Sequence, residues 1–265
     1  MKKISIFKYL ISSILLLSGA VSFASTYMSL SPVPTEIIYA LGGEDNLLGV
    51  STTCNYPEKV KEKPIIGDTY FVNMELLVRE KPDYLFSMSS AKPMLGELAL
   101  TKTKPVYFEF TKIEEIYSAI EQIAKLIDKE ENAPKLISEI KQKVEENKTS
   151  EPKNILYIVQ LEPLITIGNK SFITDIINKS GHKSVTDDIE HYYPNITLEY
   201  IIKTKPDLIL VCFESDMSKI QKLLPDVPII FLTKQEQDII NRSGPRVYEA
   251  IKMFADLDFT NEPIR

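Results

Sequence analysis

The chain contains few of the side chains from which metal and catalytic centres are built. Its 265 residues include two histidines, His182 and His191, and two cysteines. We therefore do not expect a bare zinc or manganese centre, because first-row metal sites usually combine several such ligands. The sequence also lacks a Gly-x-Ser-x-Gly elbow, a His-Glu-x-x-His motif and a phosphate-binding glycine loop. These absences argue against an enzyme, and a secreted hydrolase stays only as the alternative from another functional class.

The two cysteines, Cys54 and Cys212, lie one in each half of the chain. In an oxidising compartment they could form a disulfide. We expect two separate thiols instead, because Cys212 lies in an apolar run where cysteine packs as a small hydrophobic residue.

The N-terminal segment has the composition of a secretory signal peptide. Three lysines precede an apolar run from Tyr9 to Val21, and the small residues Ser22 and Ala24 fit a cleavage site after residue 24. The alternative is an uncleaved membrane anchor, for which the run is short and wrongly flanked. We therefore expect a periplasmic protein secreted by a cleaved signal peptide.

The secreted chain is acidic. Without the three lysines of residues 1–24, the 31 Lys and Arg fall to 28 against 37 Asp and Glu, which gives a net charge of −9. Such a charge offers no electrostatic surface for nucleic acid. The 44% hydrophobic content is that of an ordinary globular protein. The secreted chain is also long enough for two modest domains.

One segment occurs twice. Residues 75–83 read Glu-Leu-Leu-Val-Arg-Glu-Lys-Pro-Asp, and residues 199–207 read Glu-Tyr-Ile-Ile-Lys-Thr-Lys-Pro-Asp. Each copy predicts a helix that ends at the proline and a buried parallel strand after it, since the next residues are continuously apolar. Thr35-Glu-Ile-Ile is matched more loosely by Thr174-Asp-Ile-Ile. The duplication indicates two similar lobes.

Strand-like and helix-like segments alternate on both sides of a helical middle region. The alternation predicts a doubly wound α/β fold in each half. The middle region is charged, has Pro134 in the first turn of a helix and lacks a Gly/Ser-rich hinge, which favours a rigid connection. We therefore predict an N-terminal α/β lobe over residues 25–128, a single long connecting helix over 129–150 and a C-terminal α/β lobe over 151–265.

Several short motifs occur in order along the chain: Tyr27-Met-Ser-Leu-Ser-Pro, Thr35-Glu, Leu41-Gly, the two Lys-Pro-Asp units and Ser243-Gly-Pro-Arg. Together they resemble the periplasmic binding proteins of the helical-backbone class, which serve ABC importers of vitamin B12, haem and iron siderophores. The resemblance covers essentially the whole secreted chain. It implies a ligand cleft between two lobes joined by one helix, no catalysis, no cofactor, and a monomer that docks on the membrane permease subunits of a transporter.

Within this family, the vitamin B12-binding branch fits best. Asp238 and Arg242 resemble the Asp-x-x-x-Arg pair with which that branch contacts the corrinoid. Tyr56-Pro57 resembles its Tyr-Pro loop at the cleft edge, and Tyr193-Pro194 stands where that branch carries a tryptophan followed by proline. The resemblance therefore implies a cobalamin-like ligand. The two charged residues could instead form an ordinary i,i+4 pair on a helix.

That branch typically lines its cleft with tryptophan, and this chain has none. Tyrosine and phenylalanine would then supply the flat apolar walls. The candidates are Tyr56, Tyr70, Phe71, Tyr192 and Tyr193.

Haem or a ferric siderophore is the alternative ligand. A haem-binding branch uses a tyrosine as axial ligand, and Tyr70 lies near the corresponding position. Anionic ferric chelates are usually held by clustered arginines, and this chain has only four, of which Arg242 and Arg246 lie together. His191 could ligate the metal of a macrocycle or be an ordinary loop histidine.

Glu75 and Glu199 occupy the same position in the two copies of the repeat. A carboxylate in the first turn of a helix stabilises the positive end of the helix dipole, so both could be simple helix-end residues. The family resemblance implies another role, in which one glutamate on each lobe docks with arginines of the transporter subunits.

Overall fold

The computed structural model describes residues 24–68, 71–242 and 244–257. The expected signal peptide, apart from Ala24, and Tyr70 lie outside these ranges. Among the residues that the structure describes, no helix has the length and apolar character needed to cross a membrane.

Ten strands and nine α-helices make up the described fold. The strands are β1 (Tyr27–Ser29), β2 (Leu47–Ser51), β3 (Ile65–Gly67), β4 (Tyr84–Met88), β5 (Lys104–Phe108), β6 (Asn154–Gln160), β7 (Ile165–Thr166), β8 (Lys183–Ser184), β9 (Leu208–Val211) and β10 (Ile229–Phe231). The helices are α1 (Pro32–Ala40), α2 (Met74–Glu80), α3 (Ile113–Leu126), α4 (Ala133–Glu146), α5 (Phe172–Lys179), α6 (Leu198–Thr204), α7 (Ser218–Leu223), α8 (Lys234–Ile240) and α9 (Val247–Ala255). A long 3-10 segment, Ser89–Leu100, follows β4.

The strands form two separate sheets. The first has the order β3-β2-β1-β4-β5 and is parallel throughout. The second has the order β10-β9-β6-β7, with β8 also paired to β6. In this sheet the pairs β10-β9, β9-β6 and β6-β8 are parallel. Strand order reverses on both sides of β1, as in doubly wound folds. The predicted two-lobe α/β architecture is confirmed.

Alternate residues of the central strands enter different hydrophobic clusters. In β6, Ile155 and Tyr157 join one cluster, whereas Leu156 and Ile158 join another. The first cluster contains residues of both lobes together with α1, α3, α4, α5 and α9, and the other two clusters each belong to a single lobe. One face of each sheet therefore shares a common core with the other lobe, which limits relative motion of the lobes.

The helix predicted over residues 129–150 corresponds to α4, which spans Ala133–Glu146, and α3 precedes it along the chain. The α3 helix packs against α1 of the first lobe and α5 of the second. A continuous helix through both is prevented because Asp128 adopts a left-handed conformation and Pro134 cannot donate a backbone hydrogen bond.

The duplicated segment forms the same structure in both lobes. Each copy is a seven-residue helix that ends at a left-handed lysine, Lys81 or Lys205, before a buried proline. The aspartate that follows each proline accepts a hydrogen bond from the backbone at the start of the first strand of its lobe. Asp83 Oδ2 accepts from Thr26 N at 2.9 Å, and Asp207 Oδ2 accepts from Asn154 N at 2.7 Å. The Lys-Pro-Asp signature is thus a strand-pairing device.

We expect Asp83→Ala and Asp207→Ala each to lower the free energy of unfolding by about 1 kcal/mol, because each removes a charged acceptor from a backbone N–H. Urea denaturation followed by circular dichroism measures this. Asp226→Ala is the matched control, since Asp226 is exposed in the turn between α7 and β10. An equal loss in the control would contradict this role of the two aspartates.

Candidate functional site

A cavity of about 760 Å³ lies at the carboxyl edge of the first sheet. In open parallel sheets this edge is where ligands bind. The loops after β1, β2, β3 and β4 supply most of its lining, and one residue of the second lobe, Asn241, completes it. The lining side chains are Leu30, Ser31, Pro32, Thr53, Asp68, Ser87, Met88, Ser90, Ala91, Met94 and Asn241.

The lining mixes apolar surface with neutral hydrogen-bonding groups. Met88 and Met94 contribute polarisable thioethers, which adapt to the shape of a large ligand. Hydroxyl and amide groups come from the serines, Thr53 and Asn241, and the described lining contains Asp68 but neither lysine nor arginine. Such a site suits a ligand with neutral polar groups on an apolar body better than an anion.

A buried carboxylate joins the two lobes. Glu36, in α1 of the first lobe, is only 4% exposed at its side chain. Its Oε1 accepts from Arg242 Nη1 at 3.0 Å, and its Oε2 accepts from Arg246 Nε at 3.1 Å. Both arginines belong to the second lobe, so one acid holds two elements of the opposite lobe.

The same two arginines hold the loop that follows β2. Arg242 Nη2 donates to Asn55 Oδ1 at 2.8 Å. The guanidinium of Arg246 lies 3.8 Å from the ring centroid of Tyr56, a cation–π contact. Glu36, Asn55, Tyr56, Arg242 and Arg246 therefore form one group of contacts, which we call the interlobe cluster.

The second lobe has a corresponding acid. Asp175 occupies the position of Glu36 in the looser repeat, and its Oδ2 accepts from the backbone N–H of Ile113, where α3 begins, at 2.8 Å. Burial raises the pKa of Asp175, and the hydrogen bond from Ile113 opposes that rise. Lys179 pairs with Glu114 next to it. Equivalent acids in the two lobes thus each bind a segment outside their own lobe.

The predicted ligand residues are placed in different surroundings. Phe71 is exposed after β3, Tyr193 is exposed in the loop before α6, and Asp238 is exposed on α8. Tyr56 is half exposed and lines a separate groove between α1, α4 and α9. Arg242 is engaged by Glu36 and Asn55 and not by Asp238, so the i,i+4 pair does not form. Of the predicted ligand residues that the structure describes, Tyr56 and Arg242 are the two that share one cluster.

Other residues singled out in the sequence have local roles. The hydroxyl of Tyr192 donates to Glu109 of the first lobe at 3.0 Å. His191 Nδ1 accepts from the backbone N–H of Tyr193 at 3.1 Å. Cys54 is buried and Cys212 is half buried, both as free thiols.

Sequence reasoning missed several residues of the cavity and its margin. Ser31 and Thr53 lie within two residues of a strand end and Met88 ends β4, so their position at strand ends was the available signal; Met94, in the 3-10 segment, carried none. Glu36 is an acid directly before two isoleucines in the buried part of α1. That pattern signals a buried charge, but the partners cannot be read from it.

The two candidate docking glutamates are exposed at equivalent points. Glu75 is the second residue of α2 and Glu199 the second residue of α6. Asn73 caps α2 by accepting from Leu76 N, and Thr197 caps α6 by accepting from Tyr200 N. Hydrogen bonds from its own backbone N–H and from the Thr197 hydroxyl lower the pKa of Glu199, so this exposed acid also serves its own helix end.

Comparison with known proteins points to one family. The family model described as "Periplasmic binding protein" matches residues 28–226. The vitamin B12-binding protein of Yersinia pestis (strain Pestoides F) is 27% identical over 234 residues, which cover 84% of this chain and 82% of that protein.

Solved structures agree with this match. A possible iron-binding (periplasmic solute-binding) protein from Staphylococcus epidermidis ATCC 12228 superposes with a TM-score of 0.76 at 28% identity, covering 88% of this chain and 98% of the other. The periplasmic haem-binding protein HutB of Vibrio cholerae superposes with a TM-score of 0.70 at 19% identity, covering 87% and 97%.

We expect Glu36→Gln to lower the free energy of unfolding by about 2–4 kcal/mol, because it leaves two partly buried arginines without their shared carboxylate. Glu249→Gln is the matched control. Glu249 also pairs with Arg246, but within one helix and nearer to solvent, so its loss should cost less than about 1 kcal/mol. Urea denaturation compares the two variants, and equal losses would contradict the interlobe role of Glu36.

Proposed function

Because this chain belongs to the periplasmic binding protein family, we propose that it captures a corrinoid of the vitamin B12 type between its lobes and delivers it to an ABC importer. The proteins that it resembles are binding proteins and not enzymes. We further propose that residues 1–24 form a cleaved signal peptide, that the mature protein is a periplasmic monomer, and that the permease subunits of the importer are its partner.

The observation that carries the ligand proposal is the chemistry of the 760 Å³ cavity. Its described lining offers hydroxyl, amide and thioether groups without a lysine or arginine. A corrinoid carries neutral amide groups around a large flat ring, and such groups pair with hydroxyl and amide side chains. The name of the Yersinia pestis relative supports the same ligand.

Aromatic side chains at the rim supply the flat surface in this proposal. Phe71 and Tyr193 come from opposite lobes and are exposed at the carboxyl edges of their sheets. Stacking of a ring system between such side chains contributes apolar burial, while tyrosine keeps a polar tip for a hydrogen bond. We also propose Tyr70 and Asp238 as ligand contacts, and we assign Tyr56, which lines the separate groove, to holding the loop after β2.

We assign Arg242 a positioning role within this site. Its guanidinium is shared by Glu36 and Asn55, which leaves little of it for a ligand. By holding the loop after β2 to the second lobe, it would fix the width of the cleft next to Asn241.

A haem or ferric-siderophore ligand is the second candidate. The iron-binding description of the Staphylococcus epidermidis protein favours it. The cavity chemistry opposes it, since haem propionates and most ferric chelates are anionic and would meet Asp68 without a lysine or arginine in the described lining.

A spectroscopic titration tests the ligand. We expect cyanocobalamin to bind with a Kd of about 1 µM or tighter, which corresponds to about −8 kcal/mol, because the rim and cavity bury much of its surface. Haemin under the same conditions should show no shift of its Soret band. A Soret shift with haemin and no change with cyanocobalamin would overturn the corrinoid proposal.

Charge reversal tests the docking role. We expect Glu75→Arg and Glu199→Arg each to abolish uptake of cyanocobalamin in cells, because like charges would then face each other at the transporter. Binding of cyanocobalamin by the purified variants should be unchanged. Glu121→Arg, an exposed reversal on α3, is the control and should transport normally. Loss of ligand binding in the Glu75 or Glu199 variant would contradict a purely docking role.

A further inference from the structure

The two copies of the repeat carry similar residues at equivalent positions on their exposed faces as well as in their cores. One position after the buried Leu77 and Ile201 lie Val78 and Ile202, which are 55% and 43% exposed. Both stand three residues after a docking glutamate, so they lie one helical turn from it on the same face. An apolar side chain next to an acid thus appears on the surface of each lobe.

A basic residue occupies the next position in each copy. Arg79 and Lys203 follow the two apolar residues and are also exposed, four positions after Glu75 and Glu199. Each lobe therefore presents the same exposed set of acid, apolar residue and base. We call these sets the paired patches, made of Glu75, Val78 and Arg79 on α2 and of Glu199, Ile202 and Lys203 on α6.

Folding explains the buried part of the repeat but not the paired patches. The leucine or isoleucine fills a core, and the aspartate clamps a strand. Single exposed apolar residues are common on proteins and need no explanation. Two of them at equivalent positions, each between the same two charges, do need one, and contact with another molecule supplies it.

We propose that Val78 and Ile202 are apolar anchors through which both lobes dock on the membrane subunits of the importer. This rests on the proposed function. The duplication of the patches means that the partner presents two equivalent surfaces, each with a base facing the glutamate, a shallow apolar recess, and an acid facing the arginine or lysine. A pair of like membrane subunits has this arrangement. The charges set the orientation of docking and the anchors supply desolvated contact.

The test uses the mature protein and the importer membrane complex of the source bacterium, reconstituted in nanodiscs. Val78→Ser and Ile202→Ser are each expected to weaken binding to the nanodisc complex about fivefold, and the double variant about 25-fold, because distant sites act independently. Leu223→Ser is the matched control, since Leu223 is 45% exposed at the far end of α7. Biolayer interferometry measures the affinities, and a cyanocobalamin titration of each variant verifies that the ligand site is intact.

The outcomes separate this proposal from the one on which it rests. Weaker binding by both anchor variants, with the Leu223 variant at the wild-type value, supports the anchors. Weaker binding by Glu75→Arg with wild-type affinity of the anchor variants overturns them and leaves docking by the glutamates standing. Weakening by only one anchor variant also overturns the proposal, because the duplication requires both. Wild-type affinity of the glutamate and anchor variants alike would overturn the docking function itself.

Discussion

The arrangement of the two lobes depends on one buried carboxylate. Glu36 has almost no contact with solvent, and it receives hydrogen bonds from two arginines of the opposite lobe. A buried charge is tolerated only when its lone pairs are satisfied, so this acid favours the one geometry in which Arg242 and Arg246 both reach it. The cavity at the carboxyl edge of the first sheet is bounded by Asn241, the neighbour of Arg242, so the contacts of Glu36 help to hold that wall of the cavity in place.

The remaining connections act in the same direction. Asp175 ties the start of α3 to the second lobe, and Tyr192 reaches Glu109 of the first. The shared hydrophobic core behind the sheets adds apolar burial that a hinge motion would have to expose. A binding protein built in this way accepts its ligand into a largely preformed groove, so little binding energy is spent on closing the lobes.

The sequence was sufficient for the architecture because the signals for it are local. Lys-Pro-Asp ends a helix and starts a strand within nine residues, and its duplication predicted two lobes.

The site was harder to predict, because its contacts join residues that are distant in sequence. Arg242, a predicted ligand residue, binds an acid 206 residues away, and sequence spacing does not reveal that contact. Tyr56 was expected on a cleft wall, and its ring is covered on one face by Arg246. Helix spacing and turn chemistry carry no information about such pairs, whereas Pro134 in the first turn of α4 marked the start of that helix in the sequence.

The position of Glu36 near the start of the chain has a consequence for how the molecule is completed. All strands of the first sheet lie between Tyr27 and Phe108, so this sheet can assemble while the rest of the polypeptide is still emerging. Its acid then faces no partner until Arg242 and Arg246 arrive, just before the last helix. Arg242 and Arg246 thus complete the contact between the two lobes. Without Arg242 and Arg246 the carboxylate of Glu36 would have to stay in water, so its burial is coupled to the folding of the end of the chain.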